Sequence, residues 1–339
     1  MGETLTAEAA ILLPVSDFND YFQECLHSIT KSSNHLRIYI IMDEAVDAPR
    51  NLLEIKNENL HFLVYPKGKK LVKGIGGKLN FALKHVSENV IFRMDADDIW
   101  LKNREAEQIM ELQNHSVVAS EPLVIDSRGR KIPNMRPKIP IGRVWEPLFL
   151  ITNPINHPSV AIKKEVLENV GGYRESYPED LDLWLRLINA DIEIFMSGSR
   201  YIKYRRHKNQ ISVLSKSNSD FDPGLEEEYK LIKEKFGVKS NLSQAQAFCR
   251  DRNCLRLSCS VYDYLNLVTS MGVLINKETQ RRQDYVKRIA FEALIWLHGH
   301  NYFMKGLLSL IKTFGFTIIL AALIRFLLQS AIFKIFRVK

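Results

Sequence analysis

The densest group of chemically active side chains is Arg93-Met94-Asp95-Ala96-Asp97-Asp98. It follows the apolar run Val90-Ile91-Phe92, which predicts a short buried strand. Neighbouring carboxylates raise one another's pKa, so a cation commonly joins such a group. Hard oxygen ligands suit Mg²⁺ or Mn²⁺, which usually also hold a substrate phosphate. Because ligands of open α/β sheets bind beyond the carboxyl ends of the strands, the run predicts a site for a metal and a diphosphate.

The same run has a purely structural interpretation. Asp97 or Asp98 could cap a helix that begins near Ile99, as part of a solvated acidic turn. Short motifs arise by chance often enough that the acidic run alone does not decide between the two.

The elements that must position this run alternate between strands and helices at short spacing. Period and length predict strands over Ala9–Val15, Leu36–Met42, Leu60–Tyr65, Asn89–Met94, Ser116–Ile125, Ser159–Ile162, Ile192–Met196 and Tyr201–Tyr204. Helices are predicted over Asp17–Ser32 (capped by Asp17 or Asn19), Lys78–Ser87 and Asn103–Gln113, and from Pro178 onward. This alternation predicts an α/β fold with a mostly parallel sheet flanked by helices.

The amino-acid composition allows a large hydrophobic core and limits the classes of molecule that the protein could bind. The chain has 339 residues, is 46% hydrophobic and carries a formal net charge of +8. A basic excess suits nucleic acid, anionic lipid or phosphate-bearing substrates. Neither a zinc-finger spacing nor a ribonucleoprotein aromatic motif is present, so we expect no nucleic-acid partner.

The four cysteines, Cys25, Cys249, Cys254 and Cys259, do not have zinc-site spacing and are expected to be thiols in a reducing compartment. The first residues lack a basic segment followed by an apolar core, as a signal peptide would have. Both features predict a cytoplasmic protein.

The C-terminal third has a different character. The polar stretch Lys216–Gly224 predicts a domain boundary, which divides the chain into a domain over 1–218, a helical extension over 219–300 and a tail over 301–339. Helices are predicted over Leu225–Phe236, Gln244–Thr269 and Thr279–His298.

The tail is apolar and basic, with Arg325 interrupting the apolar run Phe314–Phe333. Its longest uncharged run, Thr313–Ile324, is shorter than the roughly 20 residues of a spanning helix. No acidic residue follows Glu292. We therefore predict an amphipathic helix in the plane of an anionic membrane surface. A helix packed on its own core or on a twin subunit, and a tilted or re-entrant span, are the alternatives.

Motifs in separate segments match one pattern in order. They are Pro14-Val15-Ser16, Asp43, Gly76-Gly77-Lys78-Leu79-Asn80, Asp95-Ala96-Asp97-Asp98, Asn156-His157-Pro158-Ser159, Gly171-Gly172-Tyr173, Glu179-Asp180-Leu181-Asp182-Leu183-Trp184 and Tyr204-Arg205-Arg206-His207. Over roughly residues 8 to 215, this set resembles the inverting, GT-A-fold bacterial glycosyltransferases of family 2.

The resemblance implies a donor site and a metal site. Donor-binding positions would be Pro14, Ser16, Asp43, Lys78, Asn80, Arg93, Asp95 and Arg205. Asp43 would accept the imide N–H of uracil, although Glu44-Ala45-Val46 replaces the usual Asp-Asp-Gly-Ser continuation and a simple turn aspartate is the alternative. Asp95, Asp97 and His207 would hold Mn²⁺ or Mg²⁺, with Asp98 left to cap a helix.

The resemblance also implies catalytic and acceptor positions. Asp180, beside Glu179, would be the base that deprotonates the acceptor hydroxyl. The alternative is that both residues only complement a helix N-terminus, and the two roles are compatible. Asn156, His157 and Trp184 would line the acceptor side, with a structural role in the core as the alternative for His157 and Trp184.

The expected function is therefore inverting transfer of a sugar from a UDP-sugar. Galactose, N-acetylglucosamine, glucose and N-acetylgalactosamine remain open as the sugar, with galactose mildly preferred. The acceptor would be a lipid-linked or membrane-proximal glycan, such as an undecaprenyl-diphosphate-linked sugar, in surface polysaccharide or O-antigen assembly. The protein would be peripheral on the cytoplasmic face of the inner membrane, and a homo-oligomer is possible on this sequence.

Three other functions compete. A sugar nucleotidyltransferase would need a glycine-rich basic loop after the first strand, where this chain has Pro14-Val15-Ser16-Asp17-Phe18-Asn19. A phosphatase would carry its Asp-x-Asp at the first strand rather than the fourth. The third is a scaffold at the membrane that binds a nucleotide sugar but no longer catalyses transfer. The presence of Asp95, Asp97 and Asp180 argues against this third function.

Overall fold

The computed structural model describes residues 8–44, 58–66, 74–174, 178–208, 210, 223–243, 247, 261–275, 282–299 and 303–336. The chain forms two compact units. The first unit comprises Met1–Ile125 and Ile155–Arg205, and the second comprises Asp126–Pro154 and Arg206–Lys339.

The described strands are, in chain order, β1 (Ala9–Val15), β2 (Arg37–Asp43), β3 (Leu60–Tyr65), β4 (Val90–Arg93), β5 (Ile99–Trp100), β6 (Val117–Ser120), β7 (Leu123–Ile125), β8 (Gly142–Arg143), β9 (Ala161–Lys163), β10 (Ile194–Ser197) and β11 (Ile202–Arg205). The described helices are α1 (Asp20–Ser32), α2 (Gly74–Leu83), α3 (Arg104–Leu112), α4 (Lys164–Asn169), α5 (Glu179–Asn189), α6 (Pro223–Lys235), α7 (Val261–Ile275), α8 (Arg282–Gly299), α9 (Phe303–Phe314) and α10 (Phe316–Phe336). Short 3₁₀ turns cover Glu146–Leu150 and His157–Ser159.

The main sheet of the first unit has the strand order β3-β2-β1-β4-β9-β6-β10. β1 runs parallel to both β2 and β4, with Ile11 opposite Ile38 and Phe92. Only β9 runs antiparallel to its neighbours in this order, β4 and β6. The prediction of a mostly parallel α/β sheet is therefore confirmed.

β1 and β4 are buried along almost their whole length. Strands covered on both faces read as continuous apolar runs, and that is why the sequence predicts them well. Their carboxyl ends lie side by side, so Val15 and the acidic run after Arg93 meet at one edge of the sheet. A second sheet, β5-β11-β7, lies in the same unit.

Several predicted boundaries need correction. No helix begins near Ile99: Ile99 and Trp100 form β5, and the next helix starts at Arg104. Asp98 therefore does not cap a helix. Helix α2 begins at Gly74 rather than Lys78, because the glycines of its first turn are helical. The cap of α1 is Asn19, whose side chain accepts from the N–H groups of Tyr21 and Phe22 at 3.0 and 3.2 Å.

The second unit contains the C-terminal helices. Tyr264 on α7 stacks on Trp296 on α8, with 3.9 Å between the ring centroids, and α10 packs against α8. In the part of the chain that the structure describes, no helix is both long enough and apolar enough to cross a membrane. The predicted boundary at Lys216–Gly224 and most of the predicted helix Gln244–Thr269 lie outside the described residues.

Candidate active site

The acidic run forms a cluster at the carboxyl end of β4. Carboxylate oxygens of Asp95, Asp97 and Asp98 lie within 4.8 Å of one another. Asp98 is fully buried, and burial followed by the charges of Asp97 and Asp95 raises the pKa of its carboxyl well above the usual value. Its Oδ1 accepts from the N–H of Arg205 at 2.8 Å, while its Oδ2 has no hydrogen-bond partner among the described residues.

This donor set fits a hard divalent cation. Asp95 and Asp97 are half-buried, so the cluster is open to a ligand on one side. Three converging carboxylates, one of them the buried Asp98 whose Oδ2 has no hydrogen-bond partner among the described residues, are an arrangement that Mg²⁺ or Mn²⁺ relieves. The structure brings together Asp95, Asp97 and Asp98. Asp98 is therefore a candidate metal ligand, although the sequence analysis predicted that it would cap a helix.

Arg205 supports this cluster from within the protein. Its Nε donates to the carbonyl oxygen of Asp97 at 2.8 Å, and its guanidinium lies 4.5 Å from the ring centroid of Tyr21. Its Nη2 also pairs with the carboxylate of Glu24. Arg205 is only 1% exposed. In this structure it shapes the acidic loop, and its contact with a diphosphate stays a prediction.

His207 lies just beyond β11, in the second unit. Its backbone N–H donates to Oε1 of Gln210 at 3.3 Å. Its role as a metal ligand stays a prediction.

Asp43 and Lys78, both predicted to contact the donor, form an ion pair. The carboxylate Oδ2 and the ammonium Nζ are 2.7 Å apart. Asp43 ends β2, beside the end of β1 that carries Pro14 and the exposed Ser16. Four of the predicted donor residues therefore come from neighbouring elements at one sheet edge.

Arg93 links the acidic cluster to a second group of side chains. Its Nη2 lies 2.6 Å from Oδ1 of Asp95, and the side chain is almost fully buried. Burial alone would lower the pKa of this guanidinium, but the carboxylates of Asp95 and Glu179 raise it. Arg93 thus stays charged between Asp95 and Glu179.

The second group comprises His157, Tyr173 and Glu179. Nε2 of His157 lies 2.9 Å from the hydroxyl of Tyr173, and its Nδ1 lies 3.7 Å from Oε1 of Glu179. Burial, followed by the charge of Arg93, lowers the pKa of His157 to about 3. Burial also raises the pKa of the Glu179 carboxyl. The imidazole is therefore neutral at physiological pH and bridges a phenol and a carboxyl group.

Asp180 is the second residue of helix α5, next to this group. Its Oδ1 accepts from the N–H of Leu181 at 2.8 Å. Glu179 and Asp180 both lie in the first turn, where the helix dipole favours acidic residues, so the alternative that they complement the helix N-terminus holds. The role of Asp180 as a base stays a prediction.

Trp184 and Asn80 contact other parts of the protein itself, and the donor contact predicted for Asn80 stays a prediction. Trp184 is fully buried, with its ring 5.6 Å edge-on from that of His157, so it supports His157 from the core and does not face an acceptor. Asn80 holds both backbone groups of Tyr173: its Nδ2 donates to the carbonyl at 2.6 Å and its Oδ1 accepts from the N–H at 2.8 Å. Asn156 is half-buried, and its carbonyl accepts from the N–H of Ser159.

The glycines of α2 permit a close approach to α5. A Cβ at Gly76 would lie 2.9 Å from the carbonyl oxygen of Arg174 and 3.5 Å from Cβ of Glu179. Gly76 is therefore required for close packing of α2 against the start of α5.

Residues 11–171 match the sequence profile described as "Glycosyl transferase family 2". The chain carries a family 2 glycosyl transferase domain. The match begins in β1 and includes the acidic cluster, His157 and Gly171.

Two relatives of this family 2 domain have informative names. "Amylovoran biosynthesis glycosyltransferase AmsE" of Erwinia amylovora is 31% identical over 174 residues, which cover 49% of this chain and 64% of the relative. "UDP-Gal:alpha-D-GlcNAc-diphosphoundecaprenol beta-1,3-galactosyltransferase" of Escherichia coli is 30% identical over 152 residues, which cover 43% and 50%. The chain therefore spans between half and two thirds of the length of these relatives.

A solved structure shares the fold. The crystal structure of S. aureus TarS 1–349 in complex with UDP-GlcNAc has a TM-score of 0.52, with 16% identity over 87% of this chain and 89% of the TarS 1–349 chain. The family 2 domain thus has a GT-A-like α/β fold.

Sequence reasoning did not identify Glu24 and Tyr21, which contact Arg205, or the bond between Tyr173 and His157. Glu24 and Arg205 are 181 residues apart in the chain. No local pattern joins them, whereas the Gly-Gly-Tyr motif does mark Tyr173.

Proposed function

We propose that this family 2 glycosyltransferase moves a sugar from a UDP-sugar to a lipid-linked glycan, with inversion at the anomeric carbon. The observation that carries the proposal is the connection of two groups through Arg93. On one side lies the aspartate cluster, and on the other lie His157, Tyr173 and Glu179 at the start of α5. This arrangement supports a diphosphate site next to an acid–base site.

The donor end is supported by Asp43 and by the relatives. Asp43 is 41% exposed despite its pair with Lys78, so its carboxylate can accept the imide N–H of uracil. The Escherichia coli relative is named for UDP-galactose and the TarS structure for UDP-GlcNAc. We favour UDP-galactose as the donor.

A divalent cation, Mn²⁺ or Mg²⁺, would be held by Asp95 and Asp97 with Asp98 beneath them, and His207 is a further proposed ligand. When bound, such a cation supplies charge neutralisation for the departing diphosphate. Arg93 orients the Asp95 carboxylate through their 2.6 Å ion pair. Arg205 fixes the loop through the carbonyl of Asp97.

Asp180 is the proposed base. The acceptor oxygen forms a bond to the anomeric carbon as the bond from that carbon to the UDP oxygen breaks, and the hydroxyl proton passes to the Asp180 carboxylate. The dipole of α5 keeps this carboxylate ionised before the reaction. Neutral His157 and buried Glu179 hold the first turn of α5 without adding a competing positive charge.

The acceptor and the cellular setting are proposed by analogy. The names of the relatives include amylovoran biosynthesis and a diphosphoundecaprenol-linked sugar. A matching acceptor here would be an undecaprenyl-diphosphate-linked sugar in surface polysaccharide or O-antigen assembly. Such an acceptor would place the protein on the cytoplasmic face of the inner membrane as a peripheral protein.

The test is UDP release by the purified full chain across a panel of UDP- and GDP-sugars, with an undecaprenyl-diphosphate-linked sugar as acceptor, with and without Mn²⁺. We expect release from one UDP-sugar, dependent on the metal and lost in Asp97→Ala. Asp20→Ala, which removes an exposed aspartate from the first turn of α1, is the matched control and should behave as wild type.

A second readout keeps a negative result informative. Equilibrium binding of UDP with and without Mn²⁺ is measured on the same proteins. No turnover together with no metal-dependent binding of UDP would overturn the donor site. Metal-dependent binding without turnover on any donor would favour the catalytically silent scaffold.

A further inference from the structure

The last helix carries an exposed apolar stripe. Phe316, Leu320, Ile324, Leu327 and Leu328 on α10 are between 41% and 63% exposed. Their spacing of three or four residues places them on one side of the helix. A helix of this length, 21 residues, extends for about 30 Å. The stripe is therefore a continuous apolar surface rather than a few scattered side chains.

The opposite side of α10 is anchored. Ile319, Ala322 and Phe326 are buried, and the ring of Phe326 lies edge-on to His298 of α8 with 5.2 Å between centroids. The second unit therefore holds α10 in a fixed orientation with the stripe outward. The packing of α10 on the rest of the second unit therefore does not use the residues of the apolar stripe.

The sequence after Glu292 is basic, and one of its basic residues borders the stripe. After Glu292 the sequence contains Lys305, Lys312, Arg325, Lys334, Arg337 and Lys339 and no acidic residue. Arg325 is exposed beside Ile324, about 60° around the helix from Leu328. Its position suits a long basic side chain that reaches from an apolar boundary toward a phosphate.

We propose that the α10 stripe is a docking surface for an anionic lipid bilayer, in which the helix lies in the plane of the membrane. An apolar face bordered by basic residues has the two components of interfacial binding, which are burial of apolar area and attraction to anionic headgroups. A second copy of the chain is disfavoured as the occupant, because a symmetric contact would bring the same basic residues against each other.

This proposal is independent of the sugar donor and acceptor. It assigns the contact to particular side chains of α10. It does not invoke a span, in keeping with the absence of a helix long and apolar enough to cross a membrane in the described part of the chain.

The test is co-sedimentation of the full chain with vesicles of phosphatidylcholine and phosphatidylglycerol in a 3:1 ratio. We expect wild type to bind these vesicles, to bind pure phosphatidylcholine vesicles more weakly and to be released by salt. Ile324→Glu should weaken binding about tenfold or more, since it removes apolar contact and adds a repelled charge. Arg325→Gln should weaken binding about fivefold.

The matched control is Leu231→Glu. Leu231 lies on α6 in the same unit and is 44% exposed, against 51% for Ile324. The change in charge is identical, so binding should stay within about twofold of wild type, the shift expected of net charge alone. In a second measurement, brominated lipid should quench the fluorescence of the tryptophan introduced by Phe316→Trp, whereas it should not quench that introduced by Leu231→Trp.

Equal binding by wild type and Ile324→Glu would overturn the proposal. So would failure of wild type to bind, or equal binding to neutral and anionic vesicles. Light scattering tests whether a second copy of the chain covers the stripe instead. A wild-type dimer that Ile324→Glu converts to a monomer, with no vesicle binding by either protein, would assign the stripe to a second copy. That result would also overturn the membrane proposal.

Discussion

His157 shows how burial fixes the charge of a single residue. The ring lies between the Tyr173 hydroxyl, the Glu179 carboxyl and the face of the core that carries Trp184. Burial and the charge of Arg93 oppose its protonation. A cationic imidazole here would compete with Arg93 for the same carboxylates. Because the imidazole is neutral, Arg93 pairs with these carboxylates without that competition.

This neutrality predicts a dependence of stability on pH. The folded-state pKa of about 3 lies below the ordinary value of 6.5. Below pH 6.5 the unfolded chain therefore binds a proton that the folded chain does not. The free energy of unfolding should fall by about 1.4 kcal/mol per pH unit from this group, progressively from about 6.5 down to about 3. Above pH 6.5 the residue makes no contribution to the slope.

The measurement is urea unfolding at pH 7.0 and 5.0 for wild type and His157→Gln. The variant should lose less stability than wild type on acidification, by about 2 kcal/mol. Carboxylates that titrate in both proteins cancel in the comparison. Equal acid sensitivity would show that His157 is protonated in the folded protein.

Removing the buried cation of Arg93 should lower the free energy of unfolding. Arg93→Gln leaves Asp95 without its 2.6 Å partner in a site where the guanidinium is 4% exposed. Breaking a fully buried pair costs about 3–5 kcal/mol. Because Asp95 is 31% exposed, solvent recovers part of this, and we expect about 1–3 kcal/mol in urea unfolding.

Lys230→Gln is the control for this prediction. Lys230 pairs with Glu234 at 3.7 Å, and both side chains are exposed, at 68% and 60%. Its removal should cost less than about 1 kcal/mol. Similar losses in the two variants would mean that burial of Arg93 has no energetic consequence.

At the level of elements, the contact between α2 and the Gly171-Gly172-Tyr173 turn fixes the start of α5. Asn80 on α2 bonds both backbone groups of Tyr173. Gly172 has φ +69, and a Cβ there would lie 2.5 Å from Oδ1 of Asn80. The turn therefore needs glycine for two reasons, conformation and space.

Gly172→Ala should destabilise the first unit by about 2–4 kcal/mol, because it combines left-handed strain with a steric clash that displaces Asn80. Gly171→Ala is the matched control. Gly171 has φ +80 but nothing within 4 Å of an added Cβ, so only strain applies and the expected loss is about 1 kcal/mol. Thermal unfolding of both variants checks the order, and a larger loss at Gly171 would contradict it.

The elements that the sequence predicted well are those with local signals. β3 is observed over the predicted Leu60–Tyr65, and β1 over Ala9–Val15. The two-residue strand β5 depends on a distant partner, β11, so the sequence did not predict it. The alternative in which Asp97 or Asp98 caps a helix near Ile99 was wrong for this reason. The same holds in the site: the Asp-x-Asp cluster was predicted from its neighbours in sequence, whereas Arg205's contact with Glu24 joins residues 181 positions apart.

At the scale of the whole molecule, the candidate active-site residues and the exposed apolar stripe belong to different units. The first unit holds the acidic cluster, Arg93 and the start of α5, and the second carries the exposed stripe of α10. A net charge of +8 is consistent with anionic substrates and an anionic surface. Membrane binding and turnover should therefore be separable by mutation, with Ile324→Glu retaining wild-type release of UDP in detergent solution.

The central claim is that Asp180 acts as the base for inverting sugar transfer from a UDP-sugar. Its most direct test is the rate of transfer to an undecaprenyl-diphosphate-linked sugar by wild type and Asp180→Asn, at saturating donor and Mn²⁺. We predict that kcat falls by about 10²–10⁴-fold, as expected for loss of a general base, while UDP binding is retained. Transfer by Asp180→Asn at the wild-type rate would contradict the account.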